Sequence, residues 1–357
     1  MAVTIRGRTL PLPILQGGMG VGISLERLAG AVAACGGMGT LSTAVCGFQE
    51  PDFAQHPFEA NLRALDRQVR RAKELARGVG LVAVNAMVAT TQYADSVRTA
   101  LRAGADAIVC GAGLPKDLPA LAEEVPESDA ALAPIVSSGR AAGLICKLWD
   151  RHYGRIPDFV VLEGPEAGGH LGFSRQELDQ PPALSALLRD VLAALSPFRD
   201  KAGRDIPVFV AGGVKNGADM ARYMKEGAAG AQFATRFIAT VECDASDGYK
   251  QRLLNASPGD ITLVKSPVGM PGRALRSPLI QRVEDGTQPP PDRCMKCITT
   301  CDGKNAPYCI SRALIAARNG DWENGLFFCG ANAGEINTLS TVQQQMAQIM
   351  DEWRNAQ

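Results

Sequence analysis

Eight short apolar runs recur along the first 240 residues of this 357-residue chain, separated by helical patterns, and that alternation limits the fold more than any other feature. The runs are Ile14–Gly17, Gly39–Thr43, Val82–Met87, Ala107–Gly111, Ala133–Ser137, Phe159–Glu163, Val208–Ala211 and Gly230–Ala234. Several are apolar and uncharged throughout, as parallel strands buried on both faces should be. Helical patterns lie between them at Leu25–Cys35, Glu59–Ala76, Ala94–Ala103 and Ala218–Glu226, with Gly104 and Gly227 placed to end helices and feed the next strand. Strand and helix in alternation imply βα units and a parallel α/β sheet. Eight such units predict a closed (β/α)8 barrel, a fold that uses roughly 250 residues. A doubly wound open sheet is the rival architecture.

The pattern breaks after the eighth run. Residues 1–240 are read as the barrel. Residues 241–334 are richer in Pro, Gly, Cys and charge, include the turn-forming Gln288-Pro289-Pro290-Pro291-Asp292, and are read as a smaller inserted subdomain. Residues 335–357 are read as the last barrel helix returning, with Val342, Met346, Ile349 and Met350 along one side.

Composition narrows the partners. Lys plus Arg and Asp plus Glu number 37 each, so no basic excess marks a nucleic-acid or acidic-membrane partner. The segment Met1–Leu10 carries Arg6 and Arg8 in what reads as a short strand, and no apolar leader core follows. The uncharged stretch Leu28–Gln49 is long enough to cross a bilayer, but five glycines interrupt it, which fits a helix, a turn and a buried strand better. A cytoplasmic protein is expected, with its ten cysteines mostly reduced or ligating metal. A small-molecule substrate is the expected partner; the oligomeric state is open, a homodimer included.

Barrel enzymes place their sites at the C-terminal strand ends, often with a phosphate after strands seven and eight. Val208-Phe-Val-Ala-Gly212-Gly213-Val214 ends strand seven with paired glycines whose N–H groups an anion can approach. Gly230-Ala-Gln232-Phe-Ala234-Thr235 adds small residues and a hydroxyl after strand eight. Tight βα turns alone would also use these glycines. At the end of strand six stands Glu163-Gly-Pro-Glu-Ala-Gly168-Gly169-His170, where two glycines can present an imidazole over an open pocket. Histidine titrates near neutrality and suits proton transfer. The other two histidines, His56 and His152, lie in polar contexts and read as surface residues.

Together Gln16-Gly-Gly18-Met19, Asn85, Glu166-Ala-Gly-Gly-His170, Gly212-Gly213 and Gln232-Phe-Ala-Thr235 resemble the nitronate monooxygenases, formerly called 2-nitropropane dioxygenases. They are also similar to the related FMN-dependent enoyl-ACP reductases and NADH:quinone reductases. The resemblance spans most of the barrel and implies FMN as cofactor, since no second nucleotide site for FAD is apparent. It implies that Gly18, Met19, Asn85, Glu163, Gly168, Gly169 and Gln232 contact the flavin. Gly212, Gly213, Ala234 and Thr235 would hold its phosphate, and His170 would act beside its N5. Two positions depart from the family pattern: Gly17-Gly18-Met19 replaces Ala-Pro-Met, and Ala234 replaces a glycine. Both keep small residues. The implied activity is oxidation of alkyl nitronates with O2. The alternative is an NAD(P)H-dependent enoyl-ACP or quinone reductase, and the non-enzymatic one a flavin-binding protein without catalysis. Ser266–Ala274 falls where the family places pocket-lining residues, while Arg273 and Arg276 read as solvated.

Cys294-x2-Cys297-x3-Cys301-x7-Cys309 puts four thiols within sixteen residues of the insertion. Soft thiolates select zinc or an iron–sulfur cluster, although the spacing matches neither a ferredoxin run nor a zinc ribbon. A metal-free reduced loop is the competing reading. Cys35, Cys46, Cys110 and Cys146 sit in apolar stretches and read as small core residues.

Overall fold

A computed structural model describes residues 2–357. Eight parallel strands close on themselves: β1 (Ile14–Gln16), β2 (Met38–Ser42), β3 (Leu81–Met87), β4 (Ala107–Gly111), β5 (Ala131–Val136), β6 (Val160–Glu163), β7 (Val208–Ala211) and β8 (Gly230–Phe233). Closure comes where β8 pairs with β1 through Ala231–Ile14, Gln232–Leu15 and Phe233–Gln16. The barrel is therefore the closed (β/α)8 form, and the open-sheet alternative falls. Strand ends differ from the sequence expectation by a residue or two, as in β5, which begins at Ala131.

A helix follows each strand: α1 (Glu26–Ala34), α2 (Pro57–Ala76), α3 (Tyr93–Arg102), α4 (Leu118–Glu123), α5 (Gly139–Tyr153), α6 (Leu184–Ala202), α7 (Gly217–Lys225) and, after the insertion, α8 (Val342–Asn355). Sequence physics is visible in α2. Pro57 occupies its first turn, where no N–H is needed. Ala60, Ala64, Leu65, Val69, Ala72 and Ala76 recur every three or four residues to form its buried face. In α8 a capping box joins Thr341 and Gln344 at the start, and Val342, Met346, Ile349 and Met350 are buried.

The barrel interior is filled rather than open. Leu15, Met38, Ala83, Val109, Phe159, Val161 and Phe209 form one buried cluster, with the Phe159 and Phe209 rings edge to face at 5.8 Å. Ile5 and Leu10 join that cluster. They come from a hairpin, Val3–Ile5 with Arg8–Leu10, where the sequence suggested a single short strand. Arg6 and Gly7 at its tip both have positive φ, which makes the turn two residues long. Filling this interior layer leaves the C-terminal ends of the strands for chemistry.

Residues 241–334 build a helix (Asp247–Leu254), two antiparallel strands (Ile261–Lys265 and Pro271–Leu275), and helices Pro278–Glu284 and Ile310–Arg318. Their own apolar cluster contains Val264, Ala274, Ile280, Tyr308 and Leu326. The strand Pro271–Leu275 also pairs with Gly169–His170 of the β6 loop. No helix among the described residues is long and apolar enough to cross a membrane. The stretch Leu28–Gln49 is instead α1, a turn and β2.

Candidate active site

A cavity of about 370 Å3 opens at the C-terminal strand ends. Gly18, Met19, Asn85, Glu163, Gly168, Gly169, His170, Gly212, Gly213, Gln232, Ala234 and Thr235 all line it. Residues from β1, β3, β6, β7 and β8 thus meet around one space whose size suits a cofactor with a substrate.

Glycine is required here for two different reasons. At Gly18 a Cβ would lie 2.4 Å from Cβ of Asn85, so this glycine lets β1 and β3 approach whatever the cavity holds. Gly213 has φ of +143°, a conformation side chains rarely adopt. A Cβ there would first meet Leu184 at 3.2 Å, so backbone shape constrains this position along with any anion. The turn Gly212-Gly213 and the N-terminal turn of Thr235–Ile238, whose first N–H groups lack helical partners, flank one end of the cavity.

His170 is positioned by the insertion. Its strand pairs with Pro271–Leu275 in the register Gly272–His170 and Arg273–Gly169. The ring Nε2 lies 2.8 Å from Oγ of Ser266, and Phe328 packs edge-on with centroids 5.2 Å apart. Burial pulls the imidazole down to a pKa of about 4, so the ring is neutral at physiological pH. Glu163 has the opposite response to the same cause: burial pushes its carboxyl up to about 8. Arg236, the one Lys or Arg lining the cavity among the described residues, is held by Gln345, the carbonyl of Lys215 and Glu352.

Arg273 corrects the expectation of a solvated side chain. It is half-buried, and its guanidinium donates to the carbonyls of Pro165 (2.8 Å) and Ala167 (2.6 Å), clasping the loop that carries His170. Arg276 is exposed and paired with Glu284. The sequence reading also left out Tyr249, Leu314, Phe328 and Asn332, which line the cavity from the insertion. The only hint of the last two was the run Phe327-Phe328-Cys329-Gly330-Ala331-Asn332.

His56 and His152 are exposed. Cys46, Cys110 and Cys146 are buried core residues and Cys35 is half-buried; all ten cysteines are free. No group of three or more His, Cys, Asp or Glu among the described residues is arranged as a metal-ion site, the set Cys294, Cys297, Cys301 and Cys309 included.

Comparison with known proteins agrees with this geometry. The nitronate monooxygenase family model matches residues 6–352. A curated relative from Mycobacterium tuberculosis, (3aS,4S,5R,7aS)-5-hydroxy-7a-methyl-1-oxo-octahydro-1H-indene-4-carboxyl-CoA dehydrogenase, is 29% identical over 276 residues. That match covers 77% of this chain and 66% of the relative, just under two thirds of its length. A probable nitronate monooxygenase of Staphylococcus saprophyticus is 25% identical over 304 residues, 78% of this chain and 80% of the relative. Among solved structures, FabK from Thermotoga maritima superposes with a TM-score of 0.70 at 25% identity, over 97% of this chain and 94% of FabK. A nitroalkane oxidase from Streptomyces ansochromogenes shares the fold with a TM-score of 0.71 at 20% identity, over 97% of each chain. The chain belongs to the nitronate monooxygenase family, and its fold is a closed (β/α)8 barrel.

Proposed function

We propose that this chain holds FMN in the 370 Å3 cavity and acts on the neutral thioester group of an acyl carrier beside it. The cavity fits a flavin mononucleotide in its donor set. Backbone at Gly18–Met19 and the amides of Asn85 and Gln232 would face the ring system. The Gly212-Gly213 turn and Ala234-Thr235 would take the single phosphate through N–H groups and a hydroxyl. Bound FMN supplies the electron transfer, and the protein supplies position and electrostatics.

The observation that carries the substrate class is the absence of a free cation among the described residues lining the cavity. His170 is held neutral, Arg236 is paired, and Glu163 is an acid. A nitronate would carry its negative charge at the reacting group with no positive partner, whereas the reacting thioester group of an acyl carrier is neutral. Leu114, Ile135, Met270, Leu314 and Phe328 also give the cavity apolar wall. The Mycobacterium relative is named for a carboxyl-CoA, in keeping with this reading. In it, His170 orients the thioester and holds or moves a proton at its ring nitrogen. Ser266 Oγ accepts the N–H of Val268, so its own proton is free to go to His170 Nε2.

Oxidation of alkyl nitronates is the second reading, favoured by the family match and by the probable nitronate monooxygenases among the relatives. Anaerobic mixing separates the two. Flavin bleaching by NADH or NADPH, followed by reoxidation with an enoyl-CoA, or direct bleaching by a saturated acyl-CoA, supports the thioester reading. Bleaching by alkyl nitronates alone replaces it with the second.

A further inference from the structure

We propose that Cys294, Cys297, Cys301 and Cys309 hold an iron–sulfur cluster, at a site separate from the flavin cavity. All four line one cavity of about 200 Å3, and none is in a disulfide. Their arrangement decides between metal types. Zinc bound by four thiolates has Zn–S distances of about 2.3 Å, which draws the sulfurs to within about 4 Å of one another. Among the described residues no group of three or more His, Cys, Asp or Glu is arranged as such a metal-ion site. A cluster is a multi-atom body ligated at its corners, so its thiolates surround a space instead of a point. Four thiols around a cavity match the second geometry.

The surroundings serve the same end. Lys296, between the first two cysteines, has φ of +52°, which bends the C-x2-C segment into a tight turn. Its N–H donates to Sγ of Cys294 at 3.3 Å, and the Ser311 hydroxyl donates to Sγ of Cys297 at 2.9 Å. Hydrogen bonds of this kind stabilise ligating sulfur and tune a cluster.

The chain around the site carries little regular secondary structure. From Asp285 to Cys309 it forms no helix or strand, and loops of such length are uncommon without a function of their own. It touches the barrel where the Thr91 N–H donates to the Cys297 carbonyl at 3.1 Å and the Thr299 N–H donates to that of Ala89 at 2.9 Å. A cluster would therefore fix this loop against the β3–α3 connection, since metal ligation supplies folding energy where secondary structure is lacking. A small intervening pocket has Cys297 on one side and Met87, His170 and Leu314 of the flavin cavity on the other.

The test is iron and acid-labile sulfide per chain in anaerobically purified protein, reconstituted with ferrous iron and sulfide, with paramagnetic resonance after dithionite reduction. Wild type should carry both elements and give a reduced-cluster signal. Cys297→Ser and Cys301→Ser should lose iron and sulfide yet keep flavin, which reports a folded barrel, while Cys35→Ser should keep all three. Zinc without sulfide overturns the proposal, and so does flavin-loaded wild type that takes up no iron on reconstitution. Variants that lose flavin as well leave the decision to the wild-type iron and sulfide content, which settles it alone.

Discussion

Ser266 Oγ stands 2.8 Å from Nε2 of His170, although the two residues are 96 positions apart in the chain. The contact exists because the insertion's strand Pro271–Leu275 adds to the short strand Gly169–His170. The imidazole is thus held by groups outside the barrel proper, and its chemistry should respond to changes there.

His170→Ala should keep flavin bound, because the expected phosphate contacts come from the ends of β7 and β8. Turnover should fall on the order of a hundred- to ten-thousand-fold, the usual contribution of a positioned acid or base. Ser266→Ala should cost less, about fivefold, since one net hydrogen bond is worth about 1 kcal/mol. Stopped-flow flavin reduction and reoxidation with each variant measures both. Rates equal to wild type in His170→Ala would assign the ring a structural role only.

The opposed shifts of His170 and Glu163 predict the pH response of the flavin-free protein. Glu163 titrates at about 8 when folded but near 4.5 when unfolded, so the folded state binds the extra proton between those values. Its contribution to stability should be present below pH 4.5 and decline as pH rises through 8. His170 titrates at about 4 folded and near 6.5 unfolded; its contribution should be full above 6.5 and decline as pH falls toward 4. Melting temperatures of wild type and Glu163→Gln across pH 5 to 9 check this. The wild-type decline on the alkaline side should be smaller in Glu163→Gln.

Gly18→Ala tests the close approach of β1 to β3. Its Cβ would fall 2.4 Å from that of Asn85, a backbone-anchored atom that cannot swing away. Overpacking of this kind costs typically about 1–3 kcal/mol. Urea unfolding of the flavin-free protein should show the loss, which separates a packing role from a flavin contact. A loss of flavin affinity with no loss of stability would favour the contact.

Arg273→Met should loosen the His170 loop. Two hydrogen bonds from a charged donor to backbone carbonyls disappear, each worth about 1.5–3 kcal/mol. Flavin should remain, turnover should fall, and protease sensitivity of residues 163–172 should rise. Arg273→Lys should restore part of the activity, because an ammonium keeps the charge but sits on a different stem from the Nη1 that donates to both carbonyls. An unchanged loop in the Met variant would remove the clasp from the account.

The barrel and the ring of residues around its mouth are both legible in local sequence. Strands buried on both faces must be apolar along their whole length, so β4 and β7 stand out. Glycines such as Gly18 and Gly213 appear where backbones approach closely or turn to positive φ, needs that local sequence records. Tertiary structure alone decided how the insertion completes the site. Arg273 reads as surface because nothing adjacent shows that carbonyls 106 and 108 residues earlier will face it. Likewise the hairpin Val3–Ile5 and Arg8–Leu10 looks like one short strand until barrel closure creates an interior for Ile5 and Leu10 to fill. Periodicity and turn chemistry are local properties, whereas these partners meet only once eight strands have closed and brought distant segments onto the same rim.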